Sequence, residues 1–304
     1  CEYVFYQRNL NRRTVEEFKI GYSPASGKAL ITALKKRGFS EEELDTAGLL
    51  NRFKSDMFRG RMMVPFIDTT GNVIGYTARI LGKGEPKYLN TPETLLFNKS
   101  RFIFGLYQAK ESIRRNGFVV IVEGNMDVIS SHQAGVKEAV ATSGTAMTEQ
   151  HLKALSNLTS DIRLAYDGDA AGVKATERAI MLAGDLGIDL TVISDYHGAK
   201  DPDELIQKDP RLWQAAVNKS VPAVDWLLKK YEETVDNETA YEALQEVFEA
   251  ENKVTAKKGS TKKSVVERAA TNAMSTLTRE TTKDLVDSFL LGKDTSRRQS
   301  SVQK

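Results

Sequence analysis

Phe118-Val119-Val120-Ile121-Val122 is an unbroken apolar run that stops abruptly at Glu123-Gly124. A run this short that is apolar on every residue fits a strand buried on both faces, and such strands occur in parallel sheets covered by helices. The residues that follow keep to that plan. A helix is predicted near Met126 to Ala134 and a strand at Ala139 to Ala141. Then come a helix over Thr148 to Leu158, a strand at Ile162 to Tyr166, a helix over Ala171 to Leu186 and a strand at Leu190 to Ile193. Alternation of this kind predicts a largely parallel α/β sheet.

The residues on either side follow other patterns. Thr14 and Glu17, and again Ser40 and Glu43, have the spacing of a capping box, which predicts two short helices. Arg61 to Phe66 and Val73 to Leu81 read as strands joined by the turn-rich Asp68-Thr69-Thr70-Gly71-Asn72, and Pro65 predicts that the first is an edge strand or ends early. After Pro210 no strand is expected. Trp213 to Val217, Ala223 to Tyr231, Ala240 to Phe248 and Val265 to Phe289 read as helices. Lys253 to Lys263 reads as a loop between helices and Gly292 to Lys304 as a polar tail. Three segments result: a mixed α/β unit over 1–115, a parallel-sheet unit over 116–209 and a helical unit over 210–304.

Cys1 is the single cysteine, which excludes an internal disulfide framework and a cysteine-based zinc site. His132, His151 and His197 have no metal-ligand spacing. No apolar run approaches the length of a membrane span and the start carries no signal-peptide pattern, so no membrane association and a cytoplasmic setting are expected. The net charge of +2 is unevenly spread: residues 51–101 hold nine basic residues against four acidic ones. A basic segment beside an acidic site suits an enzyme that handles a polyanion with a metal ion.

The acids stand at corresponding places. Glu123 follows one expected strand, with Asp127 one helical turn on. Asp167 and Asp169 follow another, and Asp201 and Asp203 follow the last by a loop. Ligands of open α/β sheets gather beyond the carboxyl ends of the strands, so the topology can converge residues that local spacing cannot. Six carboxylates at one place would repel strongly unless a cation intervenes, and hard oxygen donors favour Mg2+, or Mn2+, over zinc.

Val122-Glu123-Gly124-Asn125-Met126-Asp127, Tyr166-Asp167-Gly168-Asp169-Ala170-Ala171-Gly172 and Asp201-Pro202-Asp203 resemble the signature of the toprim domain shared by primases and topoisomerases. Arg59 to Phe66, Gly75 to Arg79, Pro86 to Thr94, Phe97-Asn98-Lys99 and Phe104-Gly105-Leu106-Tyr107 resemble, in order, the RNA polymerase domain of bacterial DnaG-type primases. The resemblance covers about residues 1–210. It implies an N-terminal α/β subdomain, a central toprim subdomain and a C-terminal helical subdomain. Glu123, Asp127, Asp167 and Asp169 would be catalytic, and Glu123, Asp167, Asp169, Asp201 and Asp203 would bind metal. Lys87, Tyr88, Asn90 and Lys99 would hold the incoming nucleotide. Arg59, Arg61 and Arg79, with Arg8, would line the template path.

The activity implied is DNA-templated synthesis of short RNA primers from ribonucleoside triphosphates, by metal-assisted transfer to a 3′-hydroxyl. Single-stranded DNA is the implied template, with a replicative helicase and a single-stranded-DNA-binding protein as partners of the longer protein at the nucleoid. The zinc domain and the helicase-binding domain of such primases are expected to be missing here, as from an excised core. Asn125 departs from the aromatic residue common at its place. Two rival readings use the same acids: a toprim topoisomerase or nuclease, and a non-enzymatic recombination mediator that binds DNA.

Overall fold

The structure, a computed structural model, describes residues 2–234. The segments expected at 240–248, 253–263, 265–289 and 292–304 lie outside them. Two compact units divide the chain at Pro222/Ala223. In the second, helix α10 spans Ala223–Thr234; everything below concerns the first. The limit expected at 209 falls inside that first unit.

The first sheet is antiparallel, in the order β1-β2-β3-β4, from Gly21–Ser23, Arg61–Ile67, Val73–Ile80 and Tyr88–Asn90. The turn between β2 and β3 closes on Asp68, whose Oδ1 accepts from the N–H groups of Thr70 and Asn72 at 2.9 Å each. Pro65 does not end β2. Strand β1 pairs only with Arg61 to Met63, so at Pro65 the strand has β3 as its one neighbour, and the missing N–H leaves no ladder bond unmade. Three short helices accompany this sheet: α1 (Arg12–Glu17), α2 (Ala29–Lys35) and α3 (Glu41–Thr46). The Ser40–Glu43 capping box is present at α3. At α1 the cap is Asn11, whose side chain accepts from the Thr14 N–H at 2.8 Å. Thr14 instead lies inside the helix and is buried. Its position three residues after a better cap overrides its own capping signal.

Helix α4 (Leu106–Asn116) leads into the second sheet, whose strands are β5 (Phe118–Val122), β6 (Ala139–Ala141), β7 (Asp161–Ala165), β8 (Leu190–Val192) and β9 (Val221–Pro222). The order is β6-β5-β7-β8-β9. The first four strands are parallel, as the alternating pattern predicts. Strand β9 was not expected: its two residues add an antiparallel edge to β8, and so short a strand leaves no periodic trace. The helices between are α5 (Asn125–Gln133), α6 (Glu149–Ser156), α7 (Ala170–Leu186), α8 (Pro202–Lys208) and α9 (Pro210–Val217).

One core joins the sheets. Phe66 of β2 is fully buried, with ring centroids of Phe97 and Phe102 at 4.9 and 4.6 Å. Val120 and Val122 of β5 belong to the same cluster. Each such side chain contributes roughly 1.5–3 kcal/mol by leaving water, which holds the two sheets as walls of one cleft.

Candidate active site

From β5 the chain passes to β6 on one side and later returns to β7 on the other. This reversal of strand order leaves a crevice at the carboxyl ends of β5 and β7. Val122 pairs with Ala165 across them, so Glu123 and the segment Tyr166-Asp167 emerge side by side. The cleft above has a volume of about 900 Å³. Glu123, Asp127, Asp167, Asp201 and Asp203 line one wall, and Arg79, Lys87, Tyr88 and Asn90 of β3 and β4 and the preceding loop line the other, with Arg8 between them.

Each acid has its own local cause. Asp127 turns back at the start of α5, where its Oδ2 accepts from the Gly124 N–H at 3.0 Å. A Cβ on Gly124 would lie 2.7 Å from that oxygen, so a larger residue there would push the Asp127 carboxyl aside. Asp201 caps α8 by accepting from the Glu204 N–H at 2.7 Å, ahead of Pro202 at the first helical turn. The Asp203 N–H donates to Asp127 Oδ1 at 3.2 Å, and one Asp203 oxygen takes a short bond from the Ser130 hydroxyl. Beneath them Tyr196, buried, donates its hydroxyl to the Tyr166 carbonyl at 2.8 Å, which steadies the backbone entering Asp167.

Crowding and burial tell on these groups. Burial first, then the charges of Asp201, Asp203 and Asp167, push Asp127 up to about 8. Burial and the charge of Glu123 push Asp167 up to about 7. Burial also raises Glu123, as do the charges of Asp169 and Asp201, while the neighbouring Asp167 carboxyl acts against the rise. Asp167 Oδ1 is buried and has no hydrogen-bond partner. A cluster that keeps protons near neutrality is short of positive charge, and its all-oxygen donors suit a hard divalent cation. Among the described residues no group of three acids is already arranged to hold one. Both Asp127 oxygens take backbone N–H groups, one Asp203 oxygen takes the Ser130 hydroxyl and Asp201 Oδ1 takes the Glu204 N–H.

Four expected site residues are not in the cleft lining. Asp169 is the exposed N-cap of α7, its Oδ1 taking the N–H groups of Ala171 and Gly172 at 2.9 Å each, although its charge still acts on Glu123 and Asp167. Arg61, expected on the template path, is buried, and its Nη1 donates to the Pro86 carbonyl at 2.9 Å. Arg59 lies over Gly27, where a Cβ would come within 2.7 Å of its Cδ. Lys99 sits in the turn next to α6, its N–H donating to Glu93 at 2.9 Å. Conversely, the cleft includes Thr77, Arg178, Lys200 and the loop 142–147, which sequence reading missed. Lys200 directly precedes Asp201 and was there to be noticed; the loop, tied by its Ser143 carbonyl to Asn90 at 3.2 Å, carries no local signal.

Comparison with known proteins agrees with this layout. Residues 1–110 match the family described as DNA primase catalytic core, N-terminal domain, and residues 120–206 match a family described as Toprim-like. The Escherichia coli primase catalytic core is similar in structure, with TM-score 0.70 and 30% identity, over 86% of this chain and 91% of that one. This chain belongs to the DnaG primase family. A DnaG primase catalytic domain solved bound to single-stranded DNA matches with TM-score 0.69 and 30% identity, over 82% of this chain and 87% of that one. The DNA primase of Clostridium acetobutylicum is 35% identical over 287 residues, which is 90% of this chain and 48% of the relative. This primase-family chain spans between 31% and 48% of the length of four such full-length relatives. The N-terminal α/β sheet and the toprim sheet are the two parts of the family's core, and toprim domains generally bind divalent metal. No described helix is long and apolar enough to cross a membrane.

Proposed function

We propose that this chain catalyses DNA-templated synthesis of short RNA from ribonucleoside triphosphates, as the polymerising core of a DNA primase. The observation that carries the reading is one cleft with an acidic wall on the parallel sheet and a basic, aromatic wall on the antiparallel sheet. Nucleotidyl transfer needs both: carboxylates for cations, and cations for phosphates. The solved relative bound to single-stranded DNA supports a single-stranded template.

Glu123, Asp167 and Asp201, joined by Asp203 when its ion pair with Arg8 opens, would hold a divalent ion, magnesium or manganese. When bound, it would supply Lewis-acid stabilisation of the triphosphate and lower the pKa of the attacking 3′-hydroxyl. Lys87 would neutralise triphosphate oxygens from the opposite wall, while Tyr88 offers a ring on which a base can stack. Arg79 is held ready by stacking, with its guanidinium carbon 4.9 Å from the centre of the Tyr3 ring and 5.5 Å from that of Tyr88. Glu123 is placed to serve either as a ligand of that ion or as the acceptor of the hydroxyl proton. Action at a bacterial replication fork, with a helicase and a single-stranded-DNA-binding protein as partners of the longer protein, follows from this reading.

The test is incorporation of labelled ribonucleotides on a single-stranded template. Asp167→Asn should lower the rate by about 10²–10³-fold with the fold intact. Template-dependent incorporation that survives this change at saturating metal would sink the assignment.

A further inference from the structure

Arg8 and Asp203 are separated by 195 positions in the chain and meet at 2.6 Å. Their side chains are only 21% and 12% exposed. The Arg8 guanidinium holds one Asp203 oxygen and the Ser130 hydroxyl holds the other, so neither is open to a metal ion as the side chains stand. The same guanidinium takes Tyr3: its Nε donates to the Tyr3 hydroxyl at 2.7 Å.

The backbone around Arg8 is anchored separately. The Arg8 carbonyl accepts from Gln207 at 3.3 Å, and Asn9 donates to the Gln207 Oε1 at 2.9 Å. Gln133 donates to the Asn9 carbonyl at 2.7 Å and accepts from the Asn11 N–H at 2.7 Å. These bonds fasten residues 8–11 to α5 and α8, the helices that carry Asp127 and Asp203. The guanidinium can therefore let go of Asp203 while its own segment stays in place.

The cleft thus contains a cation of its own among carboxylates that need one. We propose that Arg8 is a tethered counter-cation: it holds Asp203 while the cluster lacks a divalent ion, and on loading gives up that carboxylate and turns to a phosphate oxygen of the substrate. The inference rests on the reading of the acids as a metal site. It assigns Arg8 to the cluster first and to the substrate second. Exchange of one ion-pair partner for another at a shared site makes the two ligands help each other: whatever draws Arg8 away strengthens the metal, and the metal strengthens it in return. The phosphate could belong to the template strand or to a nucleoside triphosphate.

Mn2+ binding read by electron paramagnetic resonance, with no turnover required, tests this. Arg8→Gln should bind Mn2+ about tenfold tighter than the wild type, the scale on which one neighbouring charge shifts an equilibrium. Arg8→Lys, which keeps the charge, should stay within about threefold. In an Asp203→Asn background the gain from Arg8→Gln should vanish, because the exchange runs through that carboxylate. Anisotropy of a labelled oligodeoxythymidine strand and of a fluorescent ATP analogue distinguishes the two phosphates. Mn2+ should tighten the one that Arg8 meets, and Arg8→Gln should lose that coupling. Thermal melting confirms that each variant is folded, and Arg8→Lys and Asp203→Asn carry the test if Arg8→Gln is not: Mn2+ should then tighten the same phosphate probe for Arg8→Lys and not for Asp203→Asn. Folded Arg8→Gln that binds Mn2+ no tighter than wild type, or that keeps its gain without Asp203, overturns the proposal alone. A wild-type chain whose Mn2+ binding is absent, or indifferent to Asp167→Asn, overturns the metal site and the proposal with it.

Discussion

Replacing Gly172 by alanine should damage this site although alanine is the better helix former. Gly172 is in the first turn of α7, and an added Cβ would lie 2.0 Å from the Asp167 carbonyl oxygen, 2.8 Å from its carbon and 3.0 Å from its nitrogen. Reaching even 3.0 Å from that oxygen requires the backbone to retreat by about 1 Å. The loop cannot absorb this alone, since the Gly168 N–H is bound to the Lys200 carbonyl at 3.0 Å and the shift is passed toward Asp201. The gain in helix propensity is about 1 kcal/mol, against roughly 1–3 kcal/mol for overpacking, so the protein should lose up to about 2 kcal/mol. Displacing a reacting group by about 1 Å costs on the order of 10²-fold in rate, which is the expected loss in ribonucleotide incorporation. Gly184 of the same helix is the control, because a Cβ there meets nothing within 4 Å. Gly184→Ala should be neutral or stabilising by up to about 1 kcal/mol with full activity. Thermal melts and single-nucleotide incorporation on both variants decide the matter. If Gly172→Ala behaves like Gly184→Ala, the close approach of helix to loop is not what places Asp167.

Two further outcomes are expected. Asp127 and Asp167 are raised to about 8 and about 7 from an ordinary 3.8, so the metal-free folded chain holds protons that the unfolded chain has already lost. Its stability should therefore fall as pH rises through about 4 to 8, and Mn2+ affinity should rise as pH goes from about 6 to 8; melting curves and Mn2+ titrations at each pH, with flat profiles as the contrary result, check both. Arg61→Met should lower stability by roughly 1.5–3 kcal/mol through loss of a charged hydrogen bond while leaving template affinity within about twofold, and a selective loss of template binding would return Arg61 to the template path.

The apolar run at Phe118–Val122 and the alternation after it were enough to predict the parallel sheet, because buried strands and amphipathic helices leave their periods in the chain. Ser40 and Glu43 were legible as a cap for the same reason: a capping box is completed within four residues. Thr14 failed because Asn11, just upstream, made the bond first. The two-residue β9 failed because it is a strand only through its pairing with β8.

For the site, the sequence placed acids after strands and basic residues ahead of them, and a family resemblance named the chemistry. Which of them face one another was settled by tertiary contacts. Folding withdrew Arg61 into a carbonyl bond, set Asp169 on a helix end and put Arg8 against Asp203. Local spacing determines what a residue can do with neighbours within a helical turn or across a hairpin. Charge compensation acts through space, so only the packed chain decided which cation each carboxylate would meet.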